Sequence, residues 1–282
     1  MKNFLLTLCL IGGALKANAQ ERDVYYSNPS TGYGSWDVVS NWNIYAASGG
    51  GKLNRLPGED DYVKVSANTL AVENGRALSV TSGVQAVCHS FASGQNAFEG
   101  KTTWFRLDGG TLTCMNNFII GMNYNGLATL ESGTLRNEWP SGAFYSSASG
   151  GGSGIVTNNG AEVNFEKILI GRAANGHGTY VQNGGSITGR TDIYIGDISH
   201  GSAVLNGGTV GANGHFRIGN AAGGDGTVTN NGADITCQHL IMGYVSGAAG
   251  RMTHNGGTLN VRGTLQVGRA GGIGAFDVNA PF

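Results

Sequence analysis

The chain has 282 residues, of which 50 are glycine and only four are proline, and its formal net charge at neutral pH is −1. A net charge this close to zero argues against binding driven by the phosphates of nucleic acid. Charged residues make up 12% of the chain and hydrophobic residues 40%, so the composition is that of a folded protein and excludes a disordered one.

The first 19 residues are typical of a cleavable secretory signal peptide. Lys2 supplies the positive start, residues 4–15 are apolar, and Ala17-Asn18-Ala19 matches a cleavage site. We therefore expect the mature chain to begin at Gln20 and to be secreted or displayed at the cell surface. No later apolar run is long enough to cross a bilayer, which predicts no membrane span in the mature chain.

Residues 20–58 contain no repeat and are rich in aromatic side chains, among them Trp36 and Trp42. An atypical segment ahead of a repeat array is expected to be a cap, because an open end would expose unpaired strand groups. The segment is therefore predicted to be an irregular aromatic N-terminal cap. A sugar-binding role for the two tryptophans is the alternative.

Residues 59–282 repeat one unit of about 24 residues, a period that indicates stacked supersecondary units. In each unit a hydrophobic segment leads to a turn such as Asn183-Gly184-Gly185, then to two further hydrophobic segments and a closing glycine such as Gly196. Apolar residues two positions apart lie on one face of a strand, and glycines at this density exclude helices. The pattern predicts an all-β fold, a single-stranded parallel β-helix (β-solenoid) with three short strands per coil.

Each strand of the coil is predicted to contribute inward residues that stack from one coil to the next. The first strand is centred on Val156, Tyr180, Val204, Val228 and Met252. The second strand places Leu112, Val163, Ile187, Val210, Ile235 and Leu259 in one column. The third strand has the pairs Phe118/Ile120, Ile168/Ile170, Ile193/Ile195, Phe216/Ile218, Leu240/Met242 and Leu265/Val267. The turn asparagines are predicted to form a structural ladder, Asn159, Asn183, Asn206, Asn231 and Asn255.

The repeat stops in mid-turn at Phe282, so we expect the chain to be truncated at its C-terminus relative to a longer reading frame. Arg172 and Asp197 each follow a closing glycine in adjacent coils. Their equivalent positions predict an exposed ion pair between the two coils.

Removal of the signal peptide leaves Cys88, Cys114 and Cys237, all predicted to face the interior. Two interpretations remain open. The thiols are either small buried hydrophobes, or Cys88 and Cys114, one coil apart, form a disulfide in an oxidising compartment. The spacings lack the Cys and His clusters of a zinc site.

No group of residues has the pattern of a catalytic or metal site. Gly176-His177-Gly178 lacks acidic partners, and Glu162 and Asp234 lie three coils apart in one column. That separation is about 14 Å at strand spacing, too long for the two carboxyl groups of a glycosidase. Gly223-Gly224-Asp225-Gly226 is a single partial match to a calcium-binding repeat. The sequence therefore favours a non-enzymatic protein with no catalytic, cofactor-binding or metal-binding residue.

A candidate interaction face is predicted on the third strand, where the residue between the two inward ones must point outward. This column consists of Ile119, Leu169, Tyr194, Arg217, Ile241 and Gln266. An exposed apolar stripe of this kind marks an interface or is covered by the protein's own chain, for which residues 137–153 are the candidate.

Two sequence features resemble those of a known group of proteins. The first is the pattern Asn-Gly-Gly-Thr-hydrophobic, followed by two apolar residues and glycine. The second is the segment before the repeats, with Asn41-Trp42 and Leu56-Pro57-Gly58-Glu59-Asp60-Asp61. The chain resembles the secreted bacterial right-handed β-helix proteins of the autotransporter-passenger and pectin-lyase-like types, over about four-fifths of its length. The resemblance concerns fold and implies a right-handed coil.

On this basis we expect an exported structural or adhesive protein of the bacterial cell surface or extracellular space. The alternative is a polysaccharide-binding or polysaccharide-degrading lyase or hydrolase. The candidate partners are a surface polysaccharide, another protein, or a second copy associating along the solenoid. Nucleic acid is not expected as a partner.

Overall fold

The structure is a computed structural model that describes residues 22–26, 33–44, 51–65, 77–94 and 102–280. It is an all-β protein in which parallel strands stack into a β-solenoid of about eight turns, as the repeat predicts. The predicted signal peptide lies outside the described residues.

The N-terminal region combines parallel with antiparallel pairing. Its elements are β1 (Arg22–Tyr26), β2 (Tyr33–Ser35), a 3₁₀ turn (Val39–Asn41), β3 (Trp42–Ile44) and β4 (Asp61–Val65). β1 is antiparallel to β3 and parallel to β4. Trp36 and Trp42 are buried and their rings meet edge to face at 4.9 Å. These two rings belong to the core, so the sugar-binding interpretation of the tryptophans is wrong.

The remaining strands build the coils. In chain order they are β5 (Ala77–Thr81), β6 (Gln85–Cys88), β7 (Ser90–Ser93), β8 (Thr103–Cys114), β9 (Phe118–Ile120), β10 (Gly126–Asn137), β11 (Ala143–Ser146), β12 (Gly154–Asn158), β13 (Glu162–Ile170) and β14 (His177–Gln182). They continue with β15 (Ser186–Ile195), β16 (His200–Leu205), β17 (Thr209–Ile218), β18 (Asp225–Asn230), β19 (Asp234–Met242), β20 (Ala249–His254), β21 (Leu259–Val261), β22 (Leu265–Val267) and β23 (Ile273–Val278). In β13, β15, β17 and β19 the predicted second and third strands run on as one.

The inward column of the first strand differs from the prediction at one coil. Tyr180 pairs with Ala203, and Ala203 pairs with Val228. Val204, which the sequence assigned to this column, is therefore out of register. The step from Tyr180 to the next coil is one residue shorter than the average repeat, and a shift of one residue moves a side chain to the other face of a strand.

The predicted columns of the second and third strands are confirmed. Leu112, Val163, Ile187, Val210 and Ile235 are all buried and aligned from coil to coil. Phenylalanines fill the third-strand column in the N-terminal half, where the rings of Phe91 and Phe118 stack at 5.0 Å. In the last described coil, Leu265 and Val267 are 46% and 48% exposed because no described strand packs beyond them.

The turn between the first and second strands is closed in two different ways. Where its third residue is glycine, as at Gly208, that residue takes a left-handed conformation with φ +77°. Where the third residue is Ala233, the buried side chain of Asn230 closes the turn. Its Oδ1 accepts from the Ala233 N–H at 2.9 Å and its Nδ2 donates to the Ala233 carbonyl at 3.0 Å. Asn158 bonds to the backbone of its own turn alanine in the same way, at 2.8 and 3.1 Å.

At the first position of these turns, asparagine side chains bond from coil to coil. Nδ2 of Asn183 donates to Oδ1 of Asn159 at 2.9 Å, and Asn206 donates to Asn183 at 2.8 Å. Asn231 continues the series to Asn206 at 2.9 Å. Each side chain uses one donor and one acceptor, which gives the turns the same position in every coil.

Candidate interaction face

The third strands carry one outward residue per coil in unbroken register. The predicted column extends further towards the N-terminus than the sequence indicated. In full it consists of Lys64, Ala92, Ile119, Tyr145, Leu169, Tyr194, Arg217, Ile241 and Gln266. We call this set the third-strand face.

Two apolar members of this face are not accessible as the sequence suggested. Leu169 and Ile241 are each only 3% exposed. Leu169 lies between Tyr145 and Tyr194 in the column, and Ile241 follows Arg217. Side chains of that size cover their shorter neighbours at a strand spacing of about 4.8 Å. The expectation of a solvent-facing aliphatic stripe at these two positions is therefore wrong.

The segment 137–153 is part of the face and not a loop laid across it. It contains β11, which is itself the third strand of its coil and pairs with β9 and β13. Phe144 points into the core and Tyr145 joins the third-strand face. The predicted loop laid over the face is therefore wrong, and the segment covers Leu169 only through Tyr145, a member of the face. Trp139 in the same segment is 44% exposed and meets the His89 ring edge to face at 4.9 Å.

Tyrosine rings and arginine guanidinium groups stack on the C-terminal half of the face. The guanidinium carbon of Arg217 lies 5.1 Å from the Tyr194 ring centroid and 3.9 Å from that of Tyr244. The guanidinium carbon of Arg269 lies 4.6 Å from the same Tyr244 ring. Contacts of this geometry are worth about 0.5–1 kcal/mol each at exposed sites. They hold planar donor groups in fixed orientations.

A polar network ties this stack to the next turn. Arg217 donates to Oδ1 of Asn220 at 3.0 Å, and Asn220 donates to Oδ1 of Asp197 at 2.7 Å. Arg172 donates to the other Asp197 oxygen at 3.1 Å, which confirms the predicted ion pair between coils but not its predicted exposure, because Asp197 is buried. The Asp197 side chain is 5% exposed and that of Arg172 is 48% exposed. The network therefore has a buried anchor and an accessible edge.

Asp192 accepts three hydrogen bonds beside the stack. The donors are the Tyr194 hydroxyl at 2.9 Å, the His215 backbone N–H at 2.8 Å and the His215 ring Nδ1 at 3.0 Å. Burial alone would raise the pKa of Asp192, but these bonds together hold it below its usual value. Burial, followed by the hydrogen bond to Asp192, raises the pKa of Tyr194. The tyrosine is therefore a neutral donor at any physiological pH.

An open cleft of about 350 Å³ lies at the N-terminal end of the face. Its lining residues are Tyr62, Val63, Lys64, Ser90, Ala92, Asn117, Ile119 and Met122. The cleft exists because Ala92 is small and sits between Lys64 and Ile119 in the column. Residues 59–94 are the least regular part of the repeat, so no strand register could be assigned there from which this depression could be predicted.

The other polar residues singled out from the sequence remain apart. Glu162 and Asp234 lie in one outward column, separated by Ser186 and Thr209. Asp225, from the partial calcium motif, contacts the His200 ring at 3.2 Å. Among the described residues, no group of three or more His, Cys, Asp or Glu side chains is arranged to hold a metal ion.

The part of the chain that the structure describes contains no helix with the length and hydropathy to cross a membrane. Comparisons with protein-family models, with curated proteins and with solved structures found no match.

Proposed function

We propose that the chain is an exported, non-enzymatic β-solenoid with a structural or adhesive role at the bacterial cell surface or in the extracellular space. The N-terminal segment supports export, because its charge, apolar stretch and Ala-Asn-Ala site follow the pattern of a signal peptide. The resemblance to secreted β-helix proteins supports a role in presenting an extended surface.

The observation that carries the adhesive role is the tyrosine–arginine stack on the third-strand face. Tyrosine and arginine are enriched among the residues that dominate binding energy at interfaces. Tyr194 and Arg217 sit on strands that pair on both sides, so binding requires little further ordering of the backbone. The partners that suit such a face are a surface polysaccharide, another protein or a second copy of this chain.

The test of adhesion replaces both the cation and the ring on which it stacks. The double variant Arg217→Ala/Tyr244→Ala is compared with Thr209→Ala, which alters an exposed residue on the second strand. We expect the double variant to lose at least about tenfold in affinity for whole cells or purified surface polysaccharide, since one such anchor is worth about 2 kcal/mol. The control keeps its affinity.

Circular dichroism establishes that both variants keep the β-solenoid. Equal affinity of the folded double variant and the wild type would remove the face from the proposal. If neither the wild type nor the variants bind, the adhesive role is contradicted and only the structural role remains.

A second function is favoured by the cleft beside Ala92. A depression of about 350 Å³ whose lining combines apolar residues with Lys64 and Asn117 has the mixed lining of ligand sites. It supports the alternative of a polysaccharide-binding or polysaccharide-degrading protein. Incubation of the purified protein with polysaccharides, followed by size-exclusion chromatography, separates these roles. Chain shortening would contradict the non-enzymatic proposal, and co-elution without shortening would support binding.

Export is tested independently of binding. Protein recovered from the medium or the cell surface should have Gln20 as its first residue. Recovery of protein that is confined to the cytoplasm and keeps residues 1–19 would contradict export.

A further inference from the structure

Two cysteines of adjacent coils face each other in the N-terminal half of the solenoid. Cys88 ends β6 and Cys114 ends β8, and the two residues are direct partners in the parallel pairing of these strands. Their Sγ atoms lie 3.8 Å apart and both residues are completely buried. The third cysteine, Cys237, lies in the same inward column many coils away and pairs with Ala212 and Val261.

The spacing of neighbouring strands is compatible with a disulfide at this pair. Neighbouring strands lie about 4.8 Å apart, and the Cα atoms of disulfide-bonded cysteines are usually 4.4–6.8 Å apart. The sulfur atoms must approach from 3.8 Å to about 2.05 Å. Both side chains point inward from strands in register, so rotation about their Cα–Cβ bonds and a local approach of the two strands supply this movement without a change of register.

We propose that Cys88 and Cys114 form a disulfide that joins two adjacent coils when the chain folds in an oxidising compartment. The proposal rests on the proposed export of the chain, because export brings the cysteines into a compartment that supplies an oxidant. In the reaction the two thiols give up two protons and two electrons, and a sulfur–sulfur bond forms between Cys88 and Cys114. The disulfide of a thiol–disulfide oxidoreductase or of glutathione accepts the electrons and is reduced to two thiols.

The burial of both sulfurs determines when this bond forms. Thiolate is the reactive form of cysteine, and desolvation, followed by the hydrogen bond with Cys114, raises the pKa of Cys88 well above its ordinary value. A folded, reduced chain therefore exposes neither a thiolate nor a path for an oxidant. The bond must form while these coils are still closing. Once enclosed, it is equally protected from reductants.

The cross-link closes one coil of the solenoid into a covalent ring. The two cysteines are 26 positions apart, about one repeat of the chain. The cross-link restricts the unfolded chain, and this restriction stabilises the folded form of the coil that the bond closes. Because each coil of a solenoid contacts only its neighbours, the gain is confined to the coils around β6 and β8.

The test unfolds the mature chain, residues 20–282, with denaturant and reductant and refolds it with a glutathione redox buffer or with a phosphine reductant. Free thiols are then alkylated in denaturant, and peptides are mapped by mass spectrometry. After oxidative refolding we expect one disulfide-linked pair of peptides containing Cys88 and Cys114, with only Cys237 alkylated. Three alkylated cysteines, or pairing that involves Cys237 as often as the other two, would overturn the proposal.

Two variants keep the result interpretable. Cys237→Ala should form the same cross-link as the wild type, whereas Cys88→Ala/Cys114→Ala should not respond to oxidant. The oxidised wild type should unfold about 5 °C above the reduced protein, and this difference should vanish in the double variant. Reduced protein that has already folded should resist both alkylation and oxidation. Rapid reaction of its thiols would contradict the protection that burial implies.

Production in an oxidising and in a reducing cellular compartment separates this proposal from export. Failure of the bond to form in both the redox buffer and the oxidising compartment would overturn the cross-link and leave export standing. A bond that forms in vitro but is absent from protein recovered from its native cells would overturn both the use of the cross-link and the proposed export.

Discussion

Replacement of the buried Asn230 by alanine is expected to destabilise its coil far more than replacement of the neighbouring Asn231. The Asn230 side chain is fully buried and bonds to both the N–H and the carbonyl of Ala233. Its Oδ1 also accepts from Gly232 at 3.3 Å, and its Nδ2 lies 3.1 Å from His254 Nδ1. Alanine at position 230 cannot replace any of these bonds. Because the site is buried, water has little access to the backbone groups that lose their partner.

The magnitude follows from the number of buried groups that lose a partner. Each buried donor or acceptor left unpaired costs about 1–3 kcal/mol, and two backbone groups of Ala233 are affected. We expect Asn230→Ala to lower the local free energy of opening by about 3 kcal/mol. Asn231 is exposed and its two ladder bonds, each 2.9 Å long, can be replaced by water. Asn231→Ala should therefore cost about 1 kcal/mol or less.

Hydrogen exchange suits this comparison because the coils of a solenoid open locally. The amides of β18, β19 and β20 report the free energy of opening around the turn in each variant. If Asn230→Ala and Asn231→Ala lower it by the same amount, the side chain of Asn230 does not close the turn as described.

A matched double variant tests the same reasoning by rescue. Leu205 occupies the column position of Asn230, and its turn is closed by Gly208 with φ +77°. Asn230→Leu/Ala233→Gly transfers that solution to the next coil. It should recover at least half of the stability that Asn230→Ala loses. A double variant as unstable as the alanine variant would show that the two kinds of turn are not interchangeable.

Three further substitutions test the turn glycine, the ion pair between coils and the carboxylate of Asp192. Gly208→Ala should cost more than about 2 kcal/mol in thermal unfolding, because the left-handed backbone is strained for alanine and the new Cβ would lie 2.3 Å from the Gly185 carbonyl oxygen. Arg172→Gln should cost about 1–3 kcal/mol, because it removes the charged donor from an Asp197 carboxylate whose side chain is only 5% exposed; a loss below about 0.5 kcal/mol, as for a surface pair, would contradict this. Since the folded pKa of Asp192 lies below its ordinary 3.8, its carboxylate stabilises the fold above that pH, and the stabilisation is lost as the pH falls further. The unfolding midpoints of the wild type and Asp192→Asn should therefore differ at neutral pH and converge in acid.

The repeat made the architecture predictable, because each inward column recurs at the same place in every coil. The error at Val204 arose where one coil is a residue shorter, and hydrophobicity alone could not decide between Val204 and Leu205 as inward residues. The role of Asn230 was missed because a buried polar side chain gives no signal in a hydrophobic pattern. Its recurrence before Asn-Gly-Ala turns, as at Asn158, was the signal that could have identified it.

The candidate face was predicted in position but not in character. Alternation along the strand places Leu169 outward, but it cannot show that the side chains of neighbouring coils bury it. The stack of Arg217 on Tyr244 joins a strand residue to one that follows a closing glycine in the next coil. Such a contact depends on side-chain directions in space, which periodicity does not contain.

The spacing of the coils is the most direct test of the account, since the face, the ladder and the cysteine pair all depend on it. Ile155 and Ala275 lie in one outward column, five coils apart, and Arg251 precedes Ala275 by one coil. Spin labels at cysteines replacing Ile155 and Ala275 should be about 24 Å apart by pulsed electron paramagnetic resonance, and labels at 155 and 251 about 19 Å apart. Equal distances for the two pairs, or a broad distribution centred beyond about 35 Å, would contradict a parallel stack with one strand spacing per repeat.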